Sequence, residues 1–90
     1  MKPSQKAMPS GTASLPYAMA LDDRMRVWLV ETGVKPNRLV AFDTKSETWV
    51  SATPIAESGA GTVRHMVFHA PSRTLWFGTD ANTIARAKVP

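Results

Sequence analysis

The chain has 90 residues, 43% of them hydrophobic and 20% charged, which suits one folded core and excludes disorder except at the ends. It has no cysteine, so neither a disulfide nor a cysteine-held metal can staple it, and its apolar runs are too short for a membrane helix. Eleven Lys and Arg against seven Asp and Glu give a net charge of +4, but the basic residues are scattered, without the dense stripe that nucleic acid demands. The first ten residues, MKPSQKAMPS, are basic with no apolar stretch behind them, which predicts no secretory signal and a cytoplasmic protein. Residues 1–14 read as an N-terminal arm, partly disordered.

Short strands are predicted after the arm. Residues 18–21, 27–32, 38–43 and 48–53 are rich in Val, Leu, Trp, Phe and Thr, and turn-formers separate them: Asp22-Asp23-Arg24, the 33–37 loop and Thr44-Lys45-Ser46. Strands follow at 63–69, 75–79 and 83–88, with Pro71-Ser72-Arg73 as the first turn. No window keeps a helical i, i+3, i+4, i+7 pattern, and Pro3, Pro9, Pro16, Pro36, Pro54 and Pro71 interrupt the chain too often for long helices. Gly59-Ala60-Gly61 has no helix after it to make a phosphate loop and reads as a linker.

A repeat organises these strands. Trp28 placed over Trp76, an offset of 48, aligns Gly11 with Gly59, Leu15 with Val63, Met19 with Val67, Ala20 with Phe68, Val27 with Leu75 and Leu29 with Phe77. A three-residue deletion then aligns Asn37 with Asn82 and Leu39 with Ile84. Antiparallel strands repeating about every 40–50 residues describe blades of a β-propeller. The expected fold is all-β, with two four-stranded antiparallel blades over residues 15–58 and 59–90. The second blade stops after three strands, to be completed by the N-terminal arm or by another chain. Two blades alone leave apolar sheet faces open, so the chain is expected to form a homo-oligomeric ring, a trimer first and a tetramer next.

The residues P-Y-A-M-A-L-D-D-R-M-R-V-W-L-V-E at 16–31, N-R-L-V-A-F-D at 37–43 and L-W-F-G-T-D-A-N-T-I-A-R-A at 75–87 resemble the repeat of the virginiamycin B lyase (streptogramin B lyase) family. The resemblance implies a propeller that opens a cyclic depsipeptide at its ester by elimination, assisted by Mg²⁺. It sets His65 in the blade-start histidine position as a catalytic residue and Glu31 in the Trp-Leu-Val-Glu position as a metal ligand. Tyr17 stands where the first blade would carry its histidine and Thr79 where the second would carry its glutamate, so no single unit holds the pair. Family members are single chains of about seven blades, against two here. Tyr17 and Arg64, at the entry to inner strands, are the expected ligand-binding residues.

Blander roles stand beside these. Glu31 also reads as a solvated strand-end carboxylate pairing with Arg64, and His65 as a neutral side chain bonded between blades. Trp28, Trp76, Phe77 and Phe42 read as packing, and Trp49 as a peripheral packing residue or an exposed platform. His69 reads as turn-facing, and Asp22-Asp23 as a hairpin turn whose carboxylates point apart. The alternative function is a non-catalytic blade module that oligomerises and binds a small polar ligand or a partner.

Overall fold

A computed structural model describes residues 5–32, 34, 37–55, 63–79 and 83–90, with only the backbone of Ala13, Val63 and Arg64. The boundary expected between 58 and 59, the Gly59–Gly61 linker and Asn82 lie outside the described residues. Among the described residues seven strands are formed: β1 (Leu15–Leu21), β2 (Arg26–Thr32), β3 (Arg38–Asp43), β4 (Thr48–Pro54), β5 (Val63–His69), β6 (Thr74–Thr79) and β7 (Ile84–Lys88). They make two antiparallel sheets in sequence order, β1-β2-β3-β4 and β5-β6-β7. Pro16 and Pro54 fall on the two edge strands of the first sheet, where a missing backbone donor is tolerated.

The turns close by local side-chain chemistry. Asp22 Oδ1 accepts the Arg24 and Arg26 amides, at 2.8 and 3.0 Å, and Asp43 Oδ1 accepts those of Lys45 and Ser46, at 2.8 and 3.0 Å. Three hairpins, β1–β2, β3–β4 and β5–β6, enter their next strand through a left-handed residue: Met25 at φ 61°, Glu47 at φ 55° and Arg73 at φ 49°. None is a glycine, so each carries local strain of about 1 kcal/mol that the surrounding pairing holds in place. Nothing in the hydrophobic pattern signalled these positions.

The repeat is real in the backbone, with a corrected offset. β1 carries a bulge between Pro16, opposite Glu31, and Met19, opposite Leu29. β5 carries the same bulge between Val63, opposite Thr79, and Met66, opposite Phe77. Equivalent residues are therefore 47 apart on the first strand, 48 on the second and 45 on the third. The extra residue in the turn before Thr74 absorbs the difference. Tyr17 thus matches Arg64, and Ala18 matches His65; the uniform offset of 48 had put Tyr17 opposite His65.

The sheets stack with unlike faces together. One face of the first sheet carries Trp28 with Ala18, Val30, Leu39 and Ala41; it packs on Met66, Leu75 and Phe77 of the second, with Val89 closing the core. The equivalent tryptophan face of the second sheet, with Val67, Trp76 and Ile84, points away from this core. So does the reverse face of the first sheet, with Met19, Leu29 and Phe42. Beyond the apolar core, Arg73 donates to both Asp23 oxygens, at 2.9 Å each, and Arg26 Nη2 donates to the Pro90 carbonyl at 2.9 Å.

The described part of the arm does not complete the three-stranded sheet. Residues 5–14 form no strand and instead lie along the reverse face of the first sheet, with one short 3-10 turn at Gly11–Ala13. Trp49 Nε1 donates to the Ala7 carbonyl at 2.9 Å, and Lys6 Nζ lies 3.6 Å from Glu47.

Candidate functional site

Glu31 is the last residue but one of β2 and lies on the reverse face of the first sheet. Far from being a solvated carboxylate, it is 0% exposed. Its Oε2 accepts the Ser10 amide at 3.0 Å and its Oε1 the Ser10 hydroxyl at 2.8 Å, so the arm folds back over it. The cation beside it is Arg38, its cross-strand neighbour, with Nε 3.6 Å from Oε1; the expected partner, Arg64, is on the other sheet. Arg38 Nη1 also donates to Ser10 Oγ, closing a three-residue clasp. Burial pushes the Glu31 carboxyl up, but Ser14, Ser10 and the Arg38 guanidinium outweigh it and hold the pKa below the usual value of 4.5. The Ser14 hydroxyl is near enough to favour the charged form, yet its buried Oγ makes no hydrogen bond of proper geometry, so Ser10 is the residue that clasps.

A group ionised this readily and bonded at both oxygens is a poor proton acceptor and a good anchor. Because its pKa is depressed on folding, the clasp is fully formed above pH 4.5 and weakens as pH falls through the lowered value. Glu31→Gln should cost the clasp about 1–3 kcal/mol, the worth of a hydrogen bond to a charged group. Limited trypsin cleavage after Lys6 checks this: the variant should be cut about tenfold faster than wild type.

The other expected site residues do not join it. His65 is exposed on the tryptophan face of the second sheet, where an open cleft of about 220 Å³ is lined by His65, Val67, Trp76 and Ile84. Arg86 extends this surface, its guanidinium 5.8 Å from the Trp76 ring centre. Within one chain, Glu31 and His65 therefore occupy opposite outer faces. Tyr17 is exposed at the β1 bulge, and Arg64 takes the equivalent place in β5, its side chain outside the described residues. His69 is exposed at the end of β5, with Nδ1 2.7 Å from Ser72 Oγ in the following turn. Among the described residues no three His, Asp or Glu side chains gather around a common point. A magnesium ion at Glu31 would have to displace Ser10 and take its other ligands from outside this cluster.

A second open cleft, of about 310 Å³, lies on the reverse face of the first sheet between Lys6 and Met8 of the arm and Met19, Leu29, Phe42 and Trp49. Phe42 and Trp49 meet edge to face, 5.1 Å between ring centres, which gives Trp49 a packing role. Asp22 and Asp23 do point apart: Asp22 turns inward to Arg26 Nε and Trp28 Nε1, at 2.8 and 2.9 Å, and Asp23 outward to Arg73. Sequence reasoning missed Ser10 and Arg38. The β2–β3 hairpin register, which places Arg38 opposite Glu31, was the signal for one of them; nothing local signalled Ser10. Compared with known proteins, the chain matches no protein-family model and no curated protein.

Proposed function

We propose that this chain is a self-associating pair of propeller-type blades, an assembly and binding module whose working unit is a ring of copies. One observation carries this: the two sheets stack tryptophan face on reverse face, and each chain still exposes apolar residues on its second tryptophan face and, beside the arm, on the reverse face of its first sheet. Sheets that bury themselves only on their neighbours are stabilised by adding neighbours. Propellers usually close with about four to eight blades, so a trimer with six is favoured and a tetramer with eight follows. Light scattering of the purified protein from low to high micromolar concentration tests it. A discrete trimer or tetramer is expected; a folded monomer throughout would overturn the proposal.

The elimination reaction implied by the resemblance is a second reading, and one geometrical point favours keeping it. Glu31, held under Ser10 of the arm, and His65 lie on opposite outer faces, so only a junction between copies in which Glu31 leaves its clasp would bring them to one place. Such a junction would also gather Tyr17 and Arg64 at the end where β1 and β5 begin, a polar rim suited to a small polar ligand. Melting curves with and without Mg²⁺ test the metal's part. Mg²⁺ should raise the melting temperature of wild type and of His65→Ala, and Glu31→Gln should lose the rise. No Mg²⁺ effect on any of the three would remove the metal and leave the scaffold.

A further inference from the structure

Resting on the reading of the chain as self-associating, we infer that copies join head to tail: the tryptophan face of one copy's second sheet docks on the reverse face of the next copy's first sheet, as the two sheets already dock within a chain. The partner is a second copy of this chain. The internal junction is the template. Ala18, Trp28 and Val30 enter it from one side and Met66, Leu75 and Phe77 from the other. Their register equivalents on the outer faces are His65, Trp76 and Gly78 at one end of the molecule and Met19, Val27 and Leu29 at the other, with Leu29 already buried and Met19 exposed.

The tryptophan face of the second sheet is open and the reverse face of the first is open on β1, beside the arm; both are too apolar for surfaces meant only for water. Val67 and Ile84 are 63% and 72% exposed on one, Met19 and Leu21 59% and 52% exposed on the other. They are also different from each other. A dimer made through one face alone would need that face to complement itself, whereas unlike faces make a heterologous contact that propagates until it closes as a ring. Within that junction His65 takes the place that Ala18 holds in the internal one, toward the Met19 and Leu29 surface of the next copy.

The junction between copies is the weaker of the two. Inside the chain Arg73 grips Asp23 across the stacked sheets. The residue equivalent to Arg73 in the first sheet is Met25, which has the same left-handed backbone and no charge to offer. Dilution should therefore separate copies before it opens a chain.

Complementation of blocked variants tests the polarity. Val67→Asp closes the tryptophan face and Met19→Asp the reverse face; Ile84→Lys and Leu21→Lys repeat the design at neighbouring exposed positions, with circular dichroism to verify folding. Each variant alone should run as a 9.8 kDa monomer, and an equal mixture of one from each face should give a dimer and nothing larger. If wild type associates but the mixtures stay monomeric, or the single variants still form the wild-type oligomer, head-to-tail docking is wrong and self-association stands. If wild type is itself monomeric at every concentration, both fail.

Discussion

Replacing Asp22 with alanine should lower the unfolding free energy by about 2–4 kcal/mol, a large part of what holds a domain this small together. Asp22 is buried and accepts four hydrogen bonds, from the Arg24 and Arg26 amides, Arg26 Nε and Trp28 Nε1. Its removal opens the first hairpin turn and leaves the indole N–H of a core tryptophan without an acceptor. The cost is that of unmet donors more than of the bonds themselves. Trp28→Phe separates the two contributions. In a double-mutant cycle followed by urea unfolding, Asp22→Ala should cost less when Trp28→Phe is already present, because no indole N–H is stranded there.

The pH dependence has a definite sign. Burial pushes the Asp22 carboxyl up, but the bonds from Trp28, Arg26 and Arg24 prevail and hold it below its ordinary value of 3.8. A depressed folded pKa means stability that is present above pH 3.8 and lost as pH falls through the lowered value. Glu31 and Asp43 are depressed as well and add to the acid slope. The difference between wild type and Asp22→Asn, measured from pH 7 downward, isolates the share of Asp22. It should shrink toward low pH.

Leu75→Ala should be as damaging, at about 2–5 kcal/mol, and for a different reason. Leu75 is 0% exposed, on the middle strand of the second sheet, and fills the junction against the face that carries Trp28. Truncation leaves a void between two sheets whose separation is set by their other side chains, so collapse around it is incomplete. Val50→Ala, at an exposed position on the edge strand β4, should change stability by less than about 0.5 kcal/mol. Thermal unfolding of the three proteins gives the comparison. A Leu75→Ala effect as small as that of Val50→Ala would mean the two sheets do not share a core.

The sequence by itself determined the elements. Residues 38–43 and 63–69 form strands at the expected bounds, because β-branched and aromatic residues between turn-formers have few other low-energy conformations. It also determined the repeat, and the shorter connection before β7 is where the pattern placed it, with Val30 opposite Leu39 and Gly78 opposite Ile84. It did not determine where β1 begins: the strand starts at Leu15 rather than at 18, through a bulge that alternation does not encode.

Only the tertiary structure decided what the faces and the end residues do. Strands apolar on both sides look the same in either register, so a one-residue slip between β1 and β5 was invisible until pairing set Ala20 opposite Trp28 and Val67 opposite Trp76. Glu31 carries in the sequence the signature of a strand-end carboxylate facing water. It is buried because Ser10, 21 residues earlier, folds back over it, and no local pattern records so distant a contact. Local composition sets backbone conformation, whereas register, burial and charge pairing depend on which segments meet, and that is settled by the packing of the whole chain.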